Sequence, residues 1–346
     1  MSKKEKKKMI LLFVVMLAAL VVFGFAMVFY KKQIPEEAIA DTGFLAENTT
    51  VEEKEEARGT VTLQGKQYDY FHEYETYLLM GLDESGSQSG EAYRGSMCDF
   101  LMLAVLDRTA QTYCFLPINR DTMTEITLLQ EDGTGEASAE LQLCTAHWYG
   151  GNEEQSCDNT VEAVSHLLGD IPIDGYYCLP MSAIPEINHA VGGVEITMLE
   201  DFTEVDKKMK KGRTVALSDS QAYHYVHDRY GIGDEENSSR MQRQKQYMQA
   251  LFGKVKSLTE TDKTFINTMF REMKENAVTD IKGKTLSSFT AVLLQGEPGG
   301  FYELEGKSKT GQALGDGIDH MEFYVDEDSL VHVMKELYGL KKRNGD

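Results

Sequence analysis

Apolar residues in this chain occur in three kinds of run, and each kind predicts a different element. The first is one long block, Met9 to Tyr30, that no Asp, Glu, Lys, Arg or Pro interrupts. Crossing a hydrocarbon core takes about 20 apolar residues in a helix, so the block at 9–30 predicts a transmembrane helix. Lys3, Lys4, Lys6, Lys7 and Lys8 precede it, and only Lys31 and Lys32 closely follow. That bias predicts a cytoplasmic tail at 1–8 and places everything after the span outside the cell. The rival is a cleaved signal, whose apolar core runs about 7–15 residues before a small-x-small site. Here the run ends in bulky Phe29-Tyr30, which favours an uncut anchor.

The second kind is short and continuous. Tyr77 to Leu82 ends in Asp83, and Phe100 to Leu106 follows Asp99. Thr112 to Ile118 stops at Asn119-Arg120-Asp121-Thr122. Such runs predict strands covered on both faces. Asp107 to Gln111 reads as a hairpin turn between two of them, and the Ser/Gly-rich 84–97 as a loop.

The third kind repeats at helical spacing. Val161, Val164, Leu167 and Leu168 predict a helix capped by Asn159 or Thr160. Ser218-x-x-Gln221 has capping-box spacing and opens a helix through His227. Asn237-Ser238-Ser239 is read as the cap of another, with Met241, Met248, Leu251, Phe252 and Val255 on one side. That apolar side faces either the core or a lipid chain. Strands alternating with helices imply a layered α/β domain. The domain is expected over 71–260, after an extracellular stalk at 31–70. A C-terminal extension, 261–346, packs on the same domain.

Composition narrows the function classes. Hydrophobic residues make up 42% of the chain, ordinary for a protein with a core, and the formal net charge is −21. An acidic surface repels nucleic acid, so no nucleic-acid partner is expected. Any anion site must be a local basic pocket. Of the five cysteines, Cys144 and Cys157 are the expected disulfide pair if the domain is extracellular. Cys114 reads as a buried small hydrophobe, and no Cys/His spacing suggests a zinc site.

Two constellations carry chemistry. On the helix that starts near Ser239, residues Arg240, Arg243, Gln244 and Tyr247 share a face, and Arg229 lies just upstream. A helix start together with several guanidinium forks makes a clamp for phosphate or pyrophosphate. The plainer reading pairs these arginines with surface carboxylates, which contributes little. The other constellation is acidic: Asp83, Asp99 and Asp121 sit at strand ends, where α/β domains bind ligands. Two carboxylates and phosphate oxygens suit a hard cation such as Mg2+, whereas a single Asp can equally cap a turn.

These segments, in this order, resemble the LytR-CpsA-Psr family. The resemblance rests on strand–Gly81-Leu82-Asp83, Asp99 before an apolar strand, Arg120-Asp121-Thr122 and Gly192-Gly193-Val194-Glu195. Arg229-x₁₀-Arg240-x-x-Arg243-Gln244 completes it. It covers about residues 72–260 and the anchor. It implies a mixed central β-sheet flanked by helices on both faces, a three-layer α-β-α fold, with an apolar pocket for a lipid tail. It also implies a membrane-anchored phosphotransferase. Such an enzyme moves a glycopolymer, teichoic acid or capsule, from a polyprenyl-pyrophosphate carrier to peptidoglycan in Gram-positive wall assembly. A non-catalytic carrier-binding scaffold or a pyrophosphate hydrolase would need the same arginines.

By the same resemblance Asp83 and Asp99 are the metal-linked carboxylates. Arg120, Arg229 and Arg240 hold the pyrophosphate, with Gln244 and Arg243 beside them. Arg120, Asp121 and Arg229 are the expected catalytic residues; from its place at the strand end Asp121 reads equally as a base or as a structural partner of Arg120. The chain departs from the family pattern in three places. His227 stands where an arginine is usual, and Asn237 where an aspartate is. Met97-Cys98-Asp99 replaces Arg-Ser/Thr-Asp, leaving Arg94 to supply that charge.

Overall fold

The computed structural model describes residues 56–83, 96–130, 132–135 and 137–343. The expected tail, the transmembrane span and most of the stalk lie outside these residues, as does Arg94. Among the described residues no helix is long and apolar enough to cross a membrane.

The three continuous apolar runs become β3 (Tyr74–Asp83), β4 (Met97–Asp107) and β5 (Thr112–Ile118). They form an antiparallel meander at the centre of the domain. Asp107 builds the turn between β4 and β5: its Oδ1 accepts from the N–H groups of Thr109 at 2.9 Å and Ala110 at 2.7 Å. β8 (Gly175–Pro180) adds parallel to β3, and β11 (Val278–Thr279) antiparallel to β8. β12 (Glu297–Phe301) adds parallel to β5, which completes a mixed six-stranded sheet in the order β11-β8-β3-β4-β5-β12. The C-terminal segment therefore supplies two strands of the central sheet. Strands β11 and β12 are too short or too Gly-rich to show as apolar runs.

Alternation along β4 divides the interior. Leu101, Leu103 and Val105 point into one core, and Met102, Ala104 and Leu106 into the other. The first core is closed by α1 (Glu153–Leu167) and α7 (Glu327–Tyr338). The second lies under α2 (Ile184–Ala190), α3 (Asp219–His227), α4 (Asn237–Thr261), α5 (Phe265–Met273) and α6 (Gly283–Gln295). Helices on both faces of a mixed sheet are the expected layering.

Several local readings change. The folded part begins before residue 71: β1 (Gly59–Leu63) and β2 (Lys66–Tyr70) form a hairpin that buries Val61, Leu63 and Tyr68. Its turn, Gln64-Gly65, has positive φ at both positions, the twist-matched hairpin geometry. The short alternation Val61/Leu63 was masked by the polar stretch around it. Helix α1 starts about two turns earlier than its apolar repeat, at an Asn152 cap whose side chain accepts from Gln155 N at 3.0 Å. The capping box of α3 forms as read, with both reciprocal bonds. Helix α4 starts at Asn237 after Glu236, without a side-chain cap, because Asn237 turns inward instead. All five cysteines are free, so Cys144 and Cys157 form no disulfide. Cys114 is half-buried.

Candidate functional site

The site starts from an irregularity in β4. Register runs from Gly81↔Phe100 directly to Leu82↔Cys98, so Asp99 is an extra, unpaired residue. Such a bulge re-aims a side chain and reverses the inside–outside alternation beyond it. Here it turns Cys98 into the first core and leaves the Asp99 carboxylate buried between two guanidinium groups.

Arg120 comes from the loop after β5. Its Nη1 donates to Asp99 Oδ1, and its Nη2 lies 3.1 Å from Met97 Sδ. Its Nε sits 3.3 Å from Asp121 Oδ1, inside ion-pair range but not aligned for a hydrogen bond. Arg240, in the first turn of α4, donates from Nη1 to Asp99 Oδ2 at 2.9 Å. Asn237 steadies it, accepting from Arg240 Nη2 at 2.8 Å and from Nε at 3.2 Å. Asn237 in turn donates to Asn119 Oδ1 at 2.9 Å, and Asn119 also accepts from the Asp121 N–H at 3.0 Å. Asn119 and Asn237 thus tie the β5 loop to α4. Sequence reasoning passed over Asn119, although a polar residue closing an apolar strand just before Arg120 was a usable signal.

Charge inside the cluster is nearly balanced. Burial alone would depress the Arg120 guanidinium, but Cys144, Asp99 and Asp121 around it raise it on balance. Burial lowers Arg240, and Asp99 only partly offsets that. Burial raises the Asp121 carboxyl despite the pull of Arg120, Arg240 and Arg229. Arg229 is half-buried, lies 4.6 Å over the Tyr230 ring, and its field reaches both Asp121 and Arg240. It borders the cluster.

The remaining expected site residues fall elsewhere. Arg243 donates to the carbonyls of Tyr225 at 2.5 Å and Asp228 at 2.7 Å, and its Nε is 2.9 Å from Glu200. Gln244 donates to Val226 O at 3.1 Å. Both therefore satisfy orphan carbonyls at the C-terminal end of α3. Arg243 faces away from Asp99 and acts as a structural fastener. His227 stacks on Tyr223 with ring centroids 4.7 Å apart; its Nδ1 is 3.1 Å from Asp228 and its Nε2 4.0 Å from Asp83.

Asp83 and Asp99, on neighbouring strand ends, offer the hard carboxylate oxygens that Mg2+ takes. Asp83 is partly exposed, and each Asp99 oxygen keeps lone-pair capacity beside its arginine. The donor chemistry fits such a cation.

Beside the cluster, a half-open cavity of about 250 Å³ lies against the second face of the sheet. Its walls include Leu79, Tyr177, Met248, Leu251, Phe252 and Phe270. Phe100 and Gln244 also line the small cleft next to Asp99 and Arg120, so the polar cluster and the apolar cavity share two residues. Met248, Leu251, Phe252 and Val255 of the apolar helix stripe face this cavity, and Met241 faces the cleft.

A model of the LytR_cpsA_psr family matches residues 41–337. The chain belongs to this family. Among relatives, this LytR-CpsA-Psr protein is similar to the polyisoprenyl-teichoic acid–peptidoglycan teichoic acid transferase TagU of Bacillus cereus strain AH820. That match is 30% identical over 177 residues, 51% of this chain and 51% of the relative. The chain thus aligns with about half the length of that relative. TagU of Enterococcus faecalis is 25% identical over 267 residues, covering 75% of this chain and 77% of the relative. Among solved structures, protein gbs0355 of Streptococcus agalactiae superposes with a TM-score of 0.61 at 22% identity, covering 79% of this chain and 90% of the other. B. subtilis TagV gives 0.57 at 22% identity, covering 77% and 96%. TagT bound to LIIa-WTA gives 0.55 at 21%, covering 77% and 90%. At such identity these likenesses establish the fold.

Proposed function

We propose that this LytR-CpsA-Psr protein is a phosphotransferase that moves a glycopolymer from a polyprenyl-pyrophosphate carrier onto peptidoglycan at the outer face of the membrane. The supporting observation is a buried Arg120–Asp99–Arg240 cluster that adjoins a large apolar cavity through Phe100 and Gln244. A ligand with a doubly charged head and a long hydrocarbon tail matches that pairing. The names of the TagU relatives agree with the substrate class.

The arginines act by position and charge. Asp99 holds two buried guanidinium groups in place before substrate arrives, so little reorganisation remains when a diphosphate enters. Arg229, at the rim, meets the exposed side of that diphosphate. Asp83 and Asp99 would hold Mg2+, which would supply further neutralisation of phosphate charge. A wall-glycan hydroxyl attacks the phosphorus that bears the polymer. The new P–O bond makes a phosphodiester, and the P–O bond to the bridging oxygen breaks. Polyprenyl phosphate leaves, and Asp121 takes the hydroxyl proton.

The test uses the full chain in detergent with a lipid-linked polymer, Mg2+ and peptidoglycan. Arg240→Ala is expected to lower covalent attachment about a hundred- to a thousandfold, the scale of losing a charge-stabilising donor, with circular dichroism unchanged. Full activity in that variant, or release of free polymer without attachment, would sink the transferase reading. The second outcome would favour the hydrolase.

A further inference from the structure

The first core, opposite the substrate cavity, holds a cluster that the proposed reaction does not use. The Leu143–Trp148 turn brings in His147, α1 brings Cys157 and β8 brings Cys178. Their exposures are 1%, 0% and 1%. The imidazole nitrogen and the two sulfurs all lie within 4.8 Å of one another. Sequence spacing hid the group, because its members come from three elements that only the fold draws together.

His147 is oriented as a ligand. Its Nδ1 is 3.0 Å from the carbonyl of Ser96, and a carbonyl can only accept. Nδ1 therefore carries the proton, and Nε2 presents a lone pair to the sulfurs. A backbone carbonyl on the far nitrogen is the usual support for a metal-binding imidazole. The distance from Nε2 to Cys157 Sγ is 3.6 Å. With Zn–S of about 2.3 Å and Zn–N of about 2.05 Å, the S···N edge of a tetrahedral site is also about 3.6 Å. Thiolates and imidazole select soft or borderline ions over Mg2+ or Ca2+.

We propose that His147, Cys157 and Cys178 bind one zinc ion as a structural site. Cys98, fully buried in the same core but outside that 4.8 Å set, would have to give up its 3.3 Å bond to Phe100 O and turn toward the sulfurs to complete the tetrahedron. That would make a closed Cys₃His set. The zinc would brace the Leu143–Trp148 turn, whose Cys144 N–H donates to Arg120 O at 2.9 Å. It therefore stiffens the floor beneath the arginine cluster from the other side of the sheet. The inference is independent of the transferase reading.

Metal content of the full chain, purified in detergent without chelator, tests it. About one zinc per chain is expected, with all five thiols alkylated after denaturation. Cobalt(II) exchange should produce a thiolate-to-cobalt charge-transfer band. His147→Ala and Cys178→Ser should each lose the metal, whereas Cys114→Ser should keep it. If those variants fail to fold, the cobalt spectrum of the unaltered protein decides. A Cys157–Cys178 disulfide in the native protein overturns the proposal. So does failure to take up zinc or cobalt under reducing conditions.

Discussion

The two faces of the central sheet meet the same requirement, burial of apolar strands, in opposite ways. On one face α1 and α7 close over a core that includes Leu103, Val164, Met334 and Leu337, each 4% exposed or less. On the other, α4 and α5 stand away from β3 and β8 and leave a cavity of about 250 Å³. One helix, α4, shows the same contrast over a single turn. Arg240 reaches Asp99, which lines the cleft beside the cavity, and Arg243 is spent on the last carbonyls of α3. Filled space reads as stability and unfilled space beside buried charge reads as function. Neighbouring residues of one chemical type can serve either end.

The largest expected effects separate the two arginines. Arg240→Ala should lower transfer by about a hundred- to a thousandfold and destabilise less than Arg243→Ala, because Asp99 keeps Arg120 as a partner. Arg243→Ala should destabilise by about 2–4 kcal/mol, since it leaves the buried Glu200 Oε2 without its partner and carbonyls unsatisfied. Per folded molecule it should retain most activity. Equal loss of activity with unchanged thermal stability in both would erase the distinction.

Next come paired insertions across the sheet. Ala163→Trp, in the filled core, should cost about 1–3 kcal/mol or more from overpacking. Met248→Trp, in the cavity wall, should cost less than about 1 kcal/mol and raise KM for a long-chain donor more than for a short-chain one. Denaturant titration and donor-length kinetics check both. A severe stability loss for Met248→Trp would mean that the cavity is not available space.

A smaller effect concerns pH. Burial raises Asp121, so its carboxylate form is lost as pH falls through a value above the ordinary Asp one. If Asp121 takes the proton, the acid limb of the rate profile should fall in that window and vanish in Asp121→Asn. The sign for stability is opposite: a raised carboxyl favours the folded state as pH drops, so Asp121→Asn removes that gain and should steepen the loss of stability on acidification. Smallest of all, Lys245→Ala, which removes a partly exposed ion pair with Glu303 near the cleft, should change stability by no more than about 1 kcal/mol.

The chain alone determined a great deal. Continuous apolar runs marked β3, β4 and β5, and the polar punctuation at 107–111 marked their hairpin, because a strand buried on both faces admits no polar positions. The capping box of α3 was legible for a similar reason: its two hydrogen bonds are local. Asp99, Arg120 and Arg240 could be named as candidates from residue type and order. Only tertiary structure brought them into contact, through a bulge that no propensity encodes. It also separated Arg243 from Arg240, joined Asn119 to Asn237, and gathered His147, Cys157 and Cys178 in the opposite core. Local hydrogen bonds and hydrophobic periodicity are written in neighbouring residues. Charge pairing, cavities and ligand sets depend on distances between residues far apart in the chain, and packing sets those distances.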